Sequence, residues 1–141
     1  GWSMNTFGLR IVASDKVFYQ GRGKFIVLPQ PDGEKAIQAH HEDMMFAVVP
    51  GELRFLTDKD EWVSAAISSG FAQIINNRVT VLVLTAERPE DIDLKRAQEA
   101  KERAQEQLRQ KQSQQEYYMS QMSLARAMSR LRVGNRKNLN L

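Results

Sequence analysis

The chain has 141 residues, of which 20 are Lys or Arg and 17 are Asp or Glu, and it contains no cysteine. This length allows one domain or a small domain with an appendage, and the missing cysteines exclude a disulfide framework and a thiolate metal site. No apolar run reaches the roughly 18 residues needed to span a membrane. Five basic residues and no acidic residue lie in 117–141, so this segment is expected to meet an anionic partner.

Residues 4–86 have the pattern of short strands separated by turns. An alternating run begins at Phe7, and residues 77–84 form the last strand signal. The stretch 20–23, with Gly21 and Gly23, is interpreted as a turn between two strands. Strands of 4–8 residues with turn signals every 8–12 predict a β-sandwich of about ten antiparallel strands.

The sequence of the sandwich region shows no grouping of residues typical of a catalytic site. The one cluster that suggests a metal is His40-His41-Glu42-Asp43. Adjacent strand residues point to opposite faces, so neighbouring histidines rarely share one ion. A surface loop is the preferred interpretation, and no metal site is predicted.

Residues 87–134 are predicted to form an antiparallel helical hairpin. Pro89 suits the first turn of a helix, and Glu90, Asp91 and Asp93 place negative charge at the positive end of the helix dipole. The predicted boundaries are a first helix from Pro89 to about Gln110, a turn at 112–115, a second helix from about Glu116 to Val133, a stop at Gly134-Asn135, and a disordered basic tail at 135–141.

The contact face of the first helix is narrow and made of small residues. Ala97, Ala100, Ala104 and Leu108 recur at spacings of three and four. Alanine buries little area, and burial contributes about 25 cal/mol per Å². The hairpin is therefore either weakly docked and movable by one ligand, or a permanently packed helix pair.

Arginine placement supports two interpretations. Asp93, Arg96 and Arg103 share a face of the first helix, and Arg126 and Arg130 share a face of the second. If these faces met, several guanidinium groups would converge with a carboxylate and could bind phosphate. The alternative is solvated surface charge.

Several motifs occur in order along the chain and resemble one family. They are 48–54 (Val-Val-Pro-Gly-Glu-Leu-Arg), 69–74 (Ser-Gly-Phe-Ala-Gln-Ile), 77–82, 92–97 (Ile-Asp-Leu-Lys-Arg-Ala) and 126–131 (Arg-Ala-Met-Ser-Arg-Leu). Together they resemble the epsilon subunit of bacterial rotary ATP synthase, in particular members that bind ATP.

The resemblance implies a non-catalytic central-stalk subunit at the cytoplasmic face of the bacterial cell membrane, peripheral and without membrane insertion. Its partners would be the gamma subunit, the beta subunit and the ring of c subunits. The hairpin would either fold onto the sandwich or extend and restrain ATP hydrolysis. ATP, with or without Mg²⁺, would be a regulatory ligand, and no cofactor would be required.

The resemblance also assigns residues. The implied ATP contacts are Glu87, Ile92, Asp93, Arg96, Ala97, Arg103, Arg126 and Arg130. The implied contacts with an acidic beta segment are Arg126, Arg130 and Arg132. The implied contacts with the c ring or gamma are Pro31, Asp32, Gly33 and His41.

The loop 36–44 departs from the family pattern. His41 matches the family histidine, but the Gly and the Ala-Pro that surround it in many members are missing. Two other functions are alternatives for such a sequence. A nucleic-acid-binding module would use the basic C-terminus, but the sandwich lacks an aromatic–basic platform. A hydrolase would need a nucleophile–base pair or a phosphate loop, and neither pattern is present.

Overall fold

A computed structural model describes residues 5–110 and 113–139, with side chains described up to Arg136. Within these residues it contains nine strands, where about ten were expected, followed by the two predicted helices. The strands are β1 (Phe7–Ala13), β2 (Lys16–Gln30), β3 (Gly33–Gln38), β4 (Met44–Val48), β5 (Gly51–Thr57), β6 (Trp62–Ile67), β7 (Gly70–Ile75), β8 (Arg78–Val83) and β9 (Ala86–Glu87). The helices are α1 (Leu94–Arg109) and α2 (Gln114–Leu139), and a 3₁₀ turn covers Pro89–Asp91.

The strands form one hydrogen-bonded sheet that folds into a sandwich. The strand order is β4-β7-β8-β1-β2-β5-β6-β9, and β3 pairs with β2. The first half of β2 pairs with β1, whereas its second half pairs with β3 and β5. Strand β2 therefore runs through both layers of the sandwich.

The turn predicted at 20–23 is wrong, because β2 is continuous through these residues. The register with β5 shifts between Gly23 and Phe25, which marks the crossing from one layer to the other. A side chain at Gly23 would lie 3.1 Å from the Phe7 ring. Gly23 thus permits close packing at the crossing and does not reverse the chain.

One strand pairing is parallel, which the expectation of antiparallel strands did not include. Strand β1 pairs in parallel with β8, with Leu9 opposite Val79 and Ile11 opposite Val81. The other strand pairings within the described residues are antiparallel. The inward residues of both layers form one core that includes Phe7, Phe55 and Ile26.

The first helix begins later than the predicted Pro89. Pro89–Asp91 form a 3₁₀ turn, Ile92 is extended, and Asp93 caps α1 by accepting a hydrogen bond from the Arg96 amide at 3.1 Å. An aspartate in this position satisfies one of the unpaired amides of the first helical turn, so the helix starts after it.

The second helix ends later than predicted. It passes through Gly134 and Asn135 to Leu139, so the stop predicted at these two residues is wrong, as is a disordered tail from residue 135. The last two residues of that tail, 140 and 141, lie outside the described residues. The turn predicted at 112–115 lies partly outside them as well, and α2 already begins at Gln114. Within the described parts of the chain, neither helix is long and apolar enough to cross a membrane.

Candidate functional site

The hairpin is folded down onto the outer face of the sandwich. Helix α2 contacts β5, β6 and the 3₁₀ turn, while α1 packs on α2. Ala97 and Ala104 of α1 and Ala127 of α2 are buried, as expected for helices that approach through small residues. Gly134 is also buried, and a side chain there would lie 2.5 Å from Leu94 Cδ2. Gly134 therefore lets the end of α2 approach the start of α1.

An ion pair with one hydrogen bond joins α2 to the last strand of the sandwich. Arg130 Nε lies 2.6 Å from Glu87 Oε1, and Arg130 Nη2 donates to Glu87 Oε2 at 3.2 Å. The two side chains are only 22% and 29% exposed. Glu87 is held in place because β9 pairs with β6, where Glu87 lies opposite Ala66.

Three arginines converge between the two helices. Arg103 of α1 and Arg126 and Arg130 of α2 line a cavity of about 180 Å³, together with Gln107 and Ser123. Three of the arginines on the predicted helix faces line this one cavity, and the carboxylate paired with one of them is Glu87 and not Asp93. Arg96 lies elsewhere, 82% exposed, with its Nε 3.6 Å from Asp93 Oδ2.

A larger groove adjoins this arginine cluster. It has a volume of about 820 Å³ and lies between the β1–β2 turn, the segment from Leu84 to Arg88, and α2. Arg126 and Arg130 line both the groove and the smaller cavity. The guanidinium of Arg88 lies 4.6 Å from the centre of the Phe18 ring, which is a cation–π contact at the wall of the groove. The volume is within the usual range for small-molecule sites.

The other residues assigned to ATP have structural roles in this conformation. Ile92 is half-buried and lies beside Gly134, and Asp93 caps α1. Ala97 is fully buried, with its amide bonded to the Asp93 carbonyl at 3.0 Å. These three residues line neither the groove nor the arginine cavity.

The residues assigned to partner subunits lie on different surfaces. Pro31 and Asp32 form the exposed β2–β3 turn, and Gly33 begins β3 with a φ of +133°. His41 lies beyond the other end of β3, roughly 17 Å away along a six-residue strand. Arg132 is exposed on α2, whereas Arg126 and Arg130 line the junction with the sandwich.

The His40-His41 loop acts as a turn. His40 has a φ of +65°, its amide donates to Asn77 Oδ1 at 2.7 Å, and Asp43 accepts from the Asn76 amide at 3.0 Å. His41 Nδ1 lies 2.9 Å from the Glu42 carbonyl oxygen. In the described residues, no three His, Cys, Asp or Glu side chains are grouped to hold a metal.

The sequence interpretation missed a second ion pair at the junction. Arg136 of α2 pairs with Glu52 of β5, which is only 7% exposed. These residues are 84 positions apart, and the expected helix stop before Arg136 placed it outside the hairpin. A glutamate between Gly51 and Leu53, in a strand that also carries Leu53, Phe55 and Leu56, is the one signal that could have suggested a buried partner.

These features define a class of protein: a β-sandwich with a docked helical hairpin and an arginine-lined junction. Two family descriptions match in succession, "ATP synthase, Delta/Epsilon chain, beta-sandwich domain" at residues 6–89 and "ATP synthase, Delta/Epsilon chain, long alpha-helix domain" at residues 90–135. The ATP synthase epsilon chain of Ruminiclostridium cellulolyticum is 41% identical over 95% of this chain and 99% of that relative. The epsilon chain of Caldanaerobacter subterraneus subsp. tengcongensis is 36% identical over 93% and 95%.

Solved structures agree on the fold. A chain in the cryo-EM structure of the Euglena gracilis mitochondrial ATP synthase, OSCP/F1/c-ring, superposes with a TM-score of 0.74 at 21% identity, covering 93% of this chain and 79% of that chain. A chain in the Tetrahymena thermophila central stalk/c-ring structure gives a TM-score of 0.63 at 13% identity. The two family descriptions and the two relatives show that the chain belongs to the ATP synthase delta/epsilon chain family, as an epsilon chain, which confirms the resemblance seen in its motifs.

Proposed function

We propose that this epsilon chain is a non-catalytic rotor subunit whose hairpin, residues 87–134, senses ATP and restrains ATP hydrolysis. The observation that carries the proposal is the convergence of Arg103, Arg126 and Arg130 beside a groove large enough for a nucleotide. Arg103 and Arg126 are exposed and Arg130 is half-buried, so an anion bound among them would receive charge-assisted hydrogen bonds from more than one guanidinium.

The Glu87–Arg130 pair supports an anion site at this position. The Glu87 carboxylate accepts a hydrogen bond from Arg130 Nη2 and lies 2.6 Å from Arg130 Nε, which makes no hydrogen bond of its own within the described residues, and a phosphate group could accept from both nitrogens. Glu87 satisfies one guanidinium, and Arg103 and Arg126 provide further positive charge for a polyphosphate. In this scheme Asp93 acts by holding the first turn of α1, and the exposed Arg96 side chain would turn from Asp93 toward the nucleotide when ATP binds.

ATP bound at the junction favours the folded hairpin. Arg126 and Arg130 lie on α2, and the groove they line includes sandwich residues such as Lys16 and Phe18. A ligand that touches both parts binds only when the hairpin is docked, so it shifts the equilibrium by its differential affinity. The released hairpin would present Arg126, Arg130 and Arg132 to an acidic segment of a beta subunit.

The sandwich provides a surface for the gamma subunit. An apolar row crosses five strands on the outer face of one layer, because Ala47 pairs with Phe71, Phe71 with Leu82, Leu82 with Val12, and Val12 with Val17. Phe71 is 60% exposed and Leu82 is 52% exposed. A contiguous exposed apolar row is typical of a protein interface.

The turn of Pro31, Asp32 and Gly33, together with His41, is proposed for further contacts with gamma and the c ring. These contacts would place the subunit peripherally at the cytoplasmic face of the membrane.

The alternative of a nucleic-acid-binding module is disfavoured. Arg130 and Arg136 are paired with Glu87 and Glu52, so two of the five basic residues in 117–141 are already neutralised. Phosphate-backbone binding relies on many unpaired Lys and Arg side chains on one surface.

The proposal is tested by titrating the full chain with ATP and with ADP by calorimetry. One-to-one ATP binding is expected, and Arg126→Ala or Arg130→Ala should each weaken it by about 1.5–3 kcal/mol, the range for hydrogen bonds to charged groups. Arg109→Ala is the matched control, because Arg109 lies at the end of α1 and pairs with Glu106. Equal ATP affinity in the Arg126, Arg130 and Arg109 variants would contradict the proposed site.

A further inference from the structure

The buried carboxylate of Glu52 is a second anchor for the hairpin. Glu52 lies on the outer face of β5, opposite Ala66 of β6, and both side chains are buried because α2 covers them. An ionised carboxylate that is 93% shielded from water is unfavourable unless a cation compensates it. Arg136 supplies that cation from the end of α2.

Arg136 belongs to the face of α2 that meets the sandwich. Arg130, Val133 and Arg136 follow one another at a spacing of three, so they share a helix face. Val133 is fully buried between the two arginines, which pair with Glu87 and Glu52. The two ion pairs therefore hold α2 at two points about one and a half turns apart, and only the first lies at the arginine-lined junction.

Glu52 has a second cation nearby. Arg54 Nη1 lies 3.9 Å from Glu52 Oε1 and 3.1 Å from Glu34 Oε2. In the part of the chain whose side chains are described, the ion pairs of Glu52 are those with Arg136 and Arg54. When α2 leaves, Glu52 becomes exposed to water and keeps Arg54 beside it. The released state therefore leaves no isolated buried charge, and the anchor is reversible.

We propose that Glu52 and Arg136 form a latch that holds the hairpin in its folded-down position independently of any nucleotide. The latch rests on the proposed mobility of the hairpin, and it sets how much of the hairpin is docked before a ligand binds. Nucleotide bound at the Arg126–Arg130 site then increases the docked fraction above the value that the latch alone maintains.

The test uses a single thiol placed under α2. Because the chain contains no cysteine, Ala66→Cys, at a position that is 3% exposed, introduces one reactive group that the docked hairpin covers. Its rate of labelling by a thiol reagent, without nucleotide, reports how often the hairpin opens. The exposed position Lys59 supplies the reference rate through Lys59→Cys.

In the Ala66→Cys chain, Arg136→Gln should raise the labelling rate by about tenfold, equivalent to ~1.4 kcal/mol of docking free energy. Asn135→Glu is the control, because it changes the net charge by the same amount at an exposed neighbouring position. In a Glu52→Gln background the Arg136→Gln effect should shrink to less than about threefold, since the pair is already broken.

Two results would overturn the latch. One is an Arg136→Gln labelling rate within about twofold of that of the Asn135→Glu control, because a difference of that size would mean that the ion pair contributes little to docking. The other is an equally large effect of Arg136→Gln on the labelling rate in the Glu52→Gln background. That result would mean that Arg136 shields the thiol without acting through Glu52. Neither result depends on ATP, so a chain that fails to bind ATP but shows the coupling would retain the latch and lose the nucleotide site.

Discussion

At the scale of single residues, Ser129 lies in an unfavourable position. Its side chain is 2% exposed, and within the described residues its hydroxyl has no hydrogen-bond partner. A buried polar group without a partner costs roughly 1–3 kcal/mol. Ser129 therefore weakens the packing of α2 in the folded hairpin.

Replacing Ser129 by alanine should stabilise the chain by about 1 kcal/mol, because the unpaired hydroxyl is removed and alanine favours helix. Urea unfolding of the full chain measures this change. Ser120→Ala is the matched control: Ser120 is also buried in α2, but its hydroxyl donates to Gln107 Oε1 at 3.4 Å. Greater stability for Ser120→Ala than for Ser129→Ala would contradict the explanation.

The sequence predicted some residues of the junction between the hairpin and the sandwich and missed others. Arg103, Arg126 and Arg130 were found because helical spacing places them on defined faces. Arg96 was expected with them, yet it lies about two helical turns before Arg103, is 82% exposed and pairs with Asp93 at the helix start. The pairing of Glu52 with Arg136 depends on how the hairpin docks, and no local pattern encodes that contact.

At the scale of elements, the glycines of this chain show why strand and helix ends are hard to predict. Gly21 and Gly23 have turn-like composition but lie inside β2, and Gly134 resembles a helix stop but lies inside α2. In both elements a glycine allows another part of the chain to approach closely, at Phe7 for Gly23 and at Leu94 for Gly134. Composition alone does not distinguish close approach from chain reversal.

Gly134→Leu should release the end of α2 from α1 without unwinding the helix. The added side chain cannot fit against Leu94 and Ile92, and overpacking of this kind costs about 1–3 kcal/mol. Helix content by circular dichroism should stay the same or rise, while hydrogen exchange in α2 should accelerate. Asn135→Leu makes a similar change at an exposed neighbour and should leave exchange nearly unchanged; equal acceleration in both variants would rule out the packing argument.

At the scale of the whole molecule, the two layers of the sandwich have different outer surfaces. The hairpin covers the layer of β5, β6 and β9, where Glu52 and Ala66 are buried. The layer of β4, β7, β8 and β1 carries the exposed row that includes Phe71 and Leu82. One chain can therefore hold its own hairpin on one side and another subunit on the other.

Phe71→Ser combined with Leu82→Ser should weaken assembly with the gamma subunit by at least about tenfold, because two exposed apolar side chains at the centre of the row are lost. The melting temperature of the isolated chain should change little, since both residues are exposed. The measurement is the affinity for purified gamma subunit. Trp62→Ser is the control, as Trp62 is 58% exposed on β6 of the other layer. Unchanged affinity in the double variant would exclude this row as the interface.

The parallel pairing of β1 with β8 also has a consequence for how the chain acquires its structure. Strand β1 leaves the ribosome well before its partner β8, which begins at residue 78. Until then one side of β1 is an open edge that could pair with another chain. Contacts so distant in sequence also make folding slow. The sandwich is therefore vulnerable to aggregation during synthesis until almost all of its strands have emerged.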